Sequence, residues 1–283
     1  MHHQMESIER PTSLQGAWDR KAEGKEAVRF LGGGIDLQLY SPATVRTLVD
    51  LSGLGLAFIQ REEGLVLGTT TTMTEAIESD EVGEYADGFL REVLRQVASP
   101  LQRNLATFGG TLGSAHPWSD VIPAFLVLDA ELTLFRGSEE TVRVEEYYAQ
   151  REAYAGGLIT KVRLPALPGN GRCAFETFTR TAFDVAMLNV ACCGAIADGR
   201  WEDVRIAVGG TPALATRLRS VETGLVGAEV TETSLGEASA ACSEAIEARD
   251  DLRATGAYRR TLARQLVHRA LLDVAGLKKG DGA

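Results

Sequence analysis

A chain of 283 residues, 45% hydrophobic and 24% charged, can bury two or three packed units without staples. With 39 acidic against 29 basic side chains and a net charge of −10, it lacks the basic surface that nucleic-acid phosphates require. No window reaches the roughly 18 consecutive apolar residues of a membrane span, and Met-His-His-Gln-Met-Glu is not the basic-then-apolar start of a secretory signal, so the expected location is cytoplasmic.

In chain order, Arg10-Pro11-Thr12-Ser13 offers a proline and N-cap candidates, and Leu14 to Glu23 follows with apolar residues at helical spacing. Ala27 to Leu31 is strand-like and ends abruptly in Gly32-Gly33-Gly34. Thr44 to Asp50 and Leu54 to Gln60 fit either a helix or a strand, and Gly64 to Gly68 is a strand bounded by glycines. Thr74 to Ser79 is a short capped helix and Phe89 to Val97 a longer one. A second glycine-rich crossing occupies Ala106-Thr107-Phe108-Gly109-Gly110-Thr111. Val121 to Leu128 is apolar enough for a buried helix, and Glu131 to Arg136 and Thr141 to Arg143 are strands. Val144 to Tyr148 opens a helix, and Leu158 to Leu164 alternates as a strand stopped by Pro165.

Pro165-Ala166-Leu167-Pro168-Gly169-Asn170-Gly171 is the clearest boundary. Beyond it, Ala174 to Arg180 and Trp201 to Gly209 are strands flanking the apolar run 185–197, and Gly236 to Arg249 and Tyr258 to Ala275 are helical. The chain is therefore expected to be α+β, with an N-terminal domain over 1–168, in two α/β lobes of roughly 1–60 and 61–168, and a C-terminal sheet-plus-helix domain over 169–283. Cys173, Cys192, Cys193 and Cys242 form no Cys-x-x-Cys pair and have no histidine at zinc spacing, so the adjacent pair is expected to be small buried hydrophobes.

Two glycine segments carry the chemistry. Leu31-Gly32-Gly33-Gly34-Ile35-Asp36-Leu37 follows a strand, and without Cβ atoms its successive amides can curl into a nest for anionic oxygens. It does not satisfy Gly-x-Gly-x-x-Gly, and a plain tight turn is the alternative. Thr107-Phe108-Gly109-Gly110-Thr111, closely followed by Ser114 and Asp120, reads in the same two ways. Two such turns in one domain point to a phosphorylated cofactor.

The run Arg103-Asn104-Leu105-Ala106-Thr107-Phe108-Gly109-Gly110-Thr111, continued by Pro117-Trp118-Ser119-Asp120-Val121-Ile122-Pro123-Ala124, resembles the signature RN-x-ATIGGN…P-x-SD-x-xPAL. That signature belongs to the FAD-binding subunits of molybdenum hydroxylases, a family that includes the medium chain of aerobic carbon monoxide dehydrogenase and the flavin domain of xanthine dehydrogenase. Leu31 to Leu37 resembles the family's LAGGTDL, Leu158 to Pro165 its EIIT-x-IRIP strand, and Tyr258-Arg259-Arg260 its YRR-x-L segment, in order along nearly the whole chain.

The resemblance implies a two-lobed FAD-binding domain of the vanillyl-alcohol oxidase (PCMH) type, followed by an antiparallel sheet with helices. The backbone of Leu31, Gly32, Gly33, Gly34, Ile35, Asp36 and Leu37 would cradle one side of the pyrophosphate. Thr107, Gly109, Gly110 and Thr111 would close on the other side or on the ribityl chain, with the Ser114 hydroxyl nearby. Asp120 would accept from ribityl or ribose hydroxyls, cap the helix starting at Val121, or both. Ile159 would lie against the isoalloxazine, and Val97 would wall the adenine or the ring. FAD would be held non-covalently, so His116 is taken as a loop residue; Trp118 shields the flavin or packs, and His268 is a surface or core residue. The implied partners are a small subunit with two [2Fe-2S] clusters and a large subunit with molybdopterin, with NAD, oxygen or a quinone as acceptor.

The chain departs from the pattern twice. Thr111 stands where the family has Asn, and Phe175-Glu176-Thr177-Phe178-Thr179-Arg180 lacks the usual lysine beside the flavin, leaving Arg180 as a candidate for that charge. No Ser-His-Asp or paired-carboxylate arrangement supports hydrolysis. Glu62, Glu63, Glu139 and Glu140 are expected in solvated turns. A stand-alone flavoprotein and a flavin-less binding or assembly protein are the alternative functions.

Overall fold

The computed structural model describes residues 5–40 and 42–277. Ser13 starts the first helix, Leu14–Gly24, by accepting from the Gly16 amide. β1 (Ser7–Glu9), β2 (Val28–Leu31) and β3 (Thr47–Asp50) form a parallel sheet in the order β1-β3-β2. Of the two segments left open between helix and strand, Thr44 to Asp50 supplies β3, buried at every residue because it is the central strand, and Leu54 to Gln60 runs into the start of a strand at Ile59. Parallel neighbours need a crossover. Between β2 and β3 it contains the short helix Ile35–Tyr40, entered through the first glycine turn. Ala17, Val28, Val49 and Leu51 form the core beneath this sheet, together with Leu158.

β4 (Ile59–Glu62), β5 (Gly64–Gly68), β6 (Glu131–Phe135), β7 (Glu139–Arg143) and β8 (Leu158–Pro165) make an antiparallel sheet in the order β4-β5-β8-β6-β7. The interior strand β5 carries no charged residue, and the edge strand β7 carries three in five residues. Glu62, Glu139 and Glu140, expected in turns, lie on edge strands, where charge discourages pairing with another chain.

β9 (Gly171–Phe178), β10 (Leu188–Ala197), β11 (Arg200–Gly209) and β12 (Thr216–Arg217) form a second antiparallel sheet in the order β12-β11-β10-β9. The apolar run 185–197 supplies β10, whose Leu188, Val190 and Cys192 pack with Trp201 and Ile206 of β11 and with Ala263, Val267 and Leu271 of the helix Gly256–Val274. Cys193 corrects the expectation of an inert pair. It lies directly opposite Cys173 across β10 and β9 and is disulfide-bonded to it, whereas Cys192, on the other face, stays a buried free thiol.

By internal contacts the chain divides into two compact units. One comprises residues up to 82 with 99–114 and 129–165, and the other comprises 83–98, 115–128 and 166 onward. The helix Val121–Val127 explains part of this interleaving. All seven of its residues are apolar and buried, so it needs cover on every side, and Arg205 of β11 donates to the Val127 carbonyl at 2.9 Å.

Candidate functional site

In the first unit, Leu31 ends β2 and Gly34 turns the chain in the left-handed region at φ +79°, so that Ile35, Asp36 and Leu37 begin the next helix. The turn thus sits at the carboxyl end of a parallel strand and leads into a helix, which is where open α/β sheets bind ligands. Leading amides of such a helix have no intrahelical partner, and Gly32 beside them is exposed.

The second glycine segment differs from the expected strand-ending turn. It is the first turn of the helix Phe108–Ser114, which holds Gly109, Gly110 and Thr111 and ends at Ser114. Buried Thr107 caps it by accepting from the Gly110 amide at 3.2 Å through its hydroxyl. The Gly109 amide donates to the Thr69 carbonyl at 2.8 Å, and the Thr111 amide to the Thr107 carbonyl at 3.0 Å. These three amides are therefore spent inside the chain. What the segment offers outward is the bare face of Gly110, which is exposed.

The two segments meet. A Cβ on Gly33 would stand 1.5 Å from the Leu105 carbonyl oxygen, and one on Gly32 would stand 2.7 Å from the Thr107 hydroxyl oxygen. A Cβ on Gly109 would come within 2.9 Å of the Thr69 side chain. Only glycine permits this approach. Two bare main-chain bends side by side, at a strand-to-helix entry, fit the diphosphate of FAD. Ile159 is buried in β8, and its carbonyl accepts from the Thr69 hydroxyl at 2.7 Å. Thr69 therefore ties the Ile159 strand to the second glycine segment. Sequence reasoning missed it, and the only local signal was the threonine run after β5.

Val97, Asp120 and Arg180 belong to the second unit. Val97 is the half-buried C-cap of the helix Phe89–Gln96. Asp120 precedes the helix Val121–Val127, but its backbone is already helical and its carboxylate makes no capping bond. The carboxylate accepts instead from the Asn189 side-chain amide at 2.8 Å. Burial pushes the Asp120 carboxyl up to about 7, and the Asn189 hydrogen bond pulls the other way. Asn189, also missed in the sequence, is fully buried near the start of β10. Nearby, His116 stacks on Trp118 with ring centres 4.6 Å apart, and Arg253 lies over the Trp118 ring.

Arg180 follows β9 and is largely exposed, with its guanidinium paired to Asp184 at 2.7 Å. Its charge is therefore compensated locally. Glu176, in the stretch where the family carries its lysine, is buried and pairs with Arg269 at 2.9 Å. His268 contacts Glu232 at 3.0 Å. Among the described residues, no helix is long and apolar enough to cross a membrane.

The family model for the FAD binding domain in molybdopterin dehydrogenase matches residues 3–167, and that for the CO dehydrogenase flavoprotein C-terminal domain matches 173–274. The chain is 31% identical to the carbon monoxide dehydrogenase medium chain of Afipia carboxidovorans over 93% of its length and 94% of that relative. It is 25% identical to the glyceraldehyde dehydrogenase medium chain of Sulfolobus acidocaldarius, covering 95% and 98% of the two chains. A chain of reconstituted CO dehydrogenase from Oligotropha carboxidovorans superposes with a TM-score of 0.91 at 25% identity, over 98% and 99% of the two chains. The chain belongs to the FAD-binding medium subunits of the molybdenum hydroxylases, an oxidoreductase family.

Proposed function

We propose that this chain is the electron-transfer subunit of a molybdenum hydroxylase-type dehydrogenase, carrying electrons from [2Fe-2S] clusters of a small partner subunit to an external acceptor. A large molybdopterin subunit would oxidise the substrate, and the complex would work in the cytoplasm. FAD supplies the redox chemistry when bound. The chain's own task is to grip, orient and shield it.

In this reading the FAD-binding domain is 1–168 and the C-terminal domain 169–283. The main chain from Leu31 to Leu37 holds one side of the diphosphate. Thr107, Gly109, Gly110, Thr111 and Ser114 hold the other side or the ribityl chain, with Gly110 contributing its open face. Asp120 accepts from ribityl or ribose hydroxyls, Ile159 and Val97 are apolar walls, and Arg180 is the cationic residue toward the flavin. The observation that carries the reading is the close approach of Gly33 to Leu105, which sets two glycine bends against one another.

The test is a titration of the purified chain with FAD, followed by quenching of flavin fluorescence, together with co-purification of the chain expressed with its chromosomal neighbours. Saturable uptake near one FAD per chain, and recovery in a complex with a cysteine-rich small protein and a molybdopterin protein, are expected. A chain that takes up no FAD would sink the reading.

A further inference from the structure

The end of the C-terminal sheet grips the segment Pro117–Asp120 at two points. Gly210, just past β11, donates its amide to the Pro117 carbonyl at 2.7 Å. Asn189 of β10 donates to the Ser119 carbonyl at 3.1 Å and to an Asp120 carboxylate oxygen at 2.8 Å. Asn189 is wholly buried, so its amide has no water to fall back on, and its side-chain oxygen makes no hydrogen bond. Space for that side chain comes from Gly209, directly opposite on β11, where a Cβ would lie 2.4 Å from the Asn189 oxygen. A bare glycine on one strand and a buried amide on the next thus combine to fix one carboxylate.

Resting on the reading that Asp120 receives hydroxyls of FAD, we infer that Asn189 is a positioning residue for the cofactor, aiming the Asp120 carboxylate from within the C-terminal sheet. A carboxylate has two oxygens with about four lone-pair sites. Asn189 occupies one oxygen and fixes the rotamer, leaving the other oxygen oriented for a ligand hydroxyl.

The experiment is a double-mutant cycle on the full-length chain, read as the FAD dissociation constant by fluorescence titration. Asn189→Ala is expected to weaken FAD binding about tenfold. In an Asp120→Ala background the same substitution is expected to change it less than about twofold, because there is no carboxylate left to aim. An equal loss in both backgrounds would mean that Asn189 serves the fold alone and would overturn the inference, as would no loss in either. If Asn189→Ala does not fold, Asn189→Ser, whose hydroxyl is too short to reach Asp120, is read in the same two backgrounds. A native chain that binds no FAD removes the proposed function itself and this inference with it, whereas a native chain that binds FAD with no coupling removes only the inference.

Discussion

Gly33 and Leu105, 72 positions apart in the chain, approach so closely that a Cβ on Gly33 would stand 1.5 Å from the Leu105 carbonyl oxygen. Backbone cannot yield as a flexible side chain can, so Gly33→Ala must push the two bends apart. We expect a loss of about 1–3 kcal/mol in stability by denaturant unfolding, together with loss of FAD uptake. Gly110→Asp separates the two effects, since Gly110 is exposed. It should keep the fold while weakening FAD binding by more than about tenfold, through a carboxylate placed beside the diphosphate. Normal FAD affinity in both variants would refute the clamp.

The Thr69 hydroxyl bonds the Ile159 carbonyl, while the Thr69 carbonyl receives the Gly109 amide. Thr69→Val leaves the backbone link and deletes the hydroxyl in a buried setting. The expected cost is about 1–2 kcal/mol, with faster release of bound FAD in stopped-flow displacement. A variant with unchanged stability would show that the hydroxyl does not brace the site.

Local chemistry made much of the fold legible in the sequence. Ser13 ahead of an apolar helical stripe, the glycines around β5 and the Pro/Gly stretch at 165–171 each announce themselves within a few residues. The glycine segments were legible as candidate anion nests, and the match to family signatures joined them into one cofactor site. Structure was needed wherever the deciding partner lies far along the chain. Gly109 and Gly110 look like a turn until Thr107 and Thr69 are seen to engage their amides. Asp120 looks like an N-cap until Asn189 takes its carboxylate. Cys193 looks like its neighbour Cys192 until strand register faces it to Cys173. Register alternates faces along a strand, so two adjacent cysteines have opposite fates for reasons neither carries locally.

That disulfide makes its own prediction. Cys173 and Cys193 are separated by 20 residues, and closing a loop of that length stabilises by about 3 kcal/mol in the chain-entropy account. Cys173→Ser, or reduction of the native chain, should lower the stability by about that amount in urea unfolding. The two remaining thiols are buried, with burial raising Cys242 to about 12 and Cys192 well above its ordinary value. Alkylation of the folded, oxidised chain should therefore label no cysteine, and prior unfolding should expose two. Labelling of all four after unfolding without reductant would show the bond to be absent.

Asp120 links the site to pH. Without FAD, its folded carboxyl keeps its proton up to about 7, whereas an unfolded aspartate loses it near its ordinary value of about 4. Across that window the folded state binds more protons than the unfolded one, so the Asp120 contribution to stability falls as pH rises from about 4 to about 7. Asp120→Asn cannot ionise and should not show that decline, so the stability difference between the two proteins should change with pH in the window and level off on either side. The ionised carboxylate is the stronger acceptor for a ligand hydroxyl, so FAD should favour it and expel the proton. FAD affinity of the native chain should then rise as pH increases through about 7, calorimetry near neutral pH should detect proton release on binding, and Asp120→Asn should abolish both. If affinity does not change with pH, or proton uptake replaces release, Asp120 does not meet the cofactor as a carboxylate.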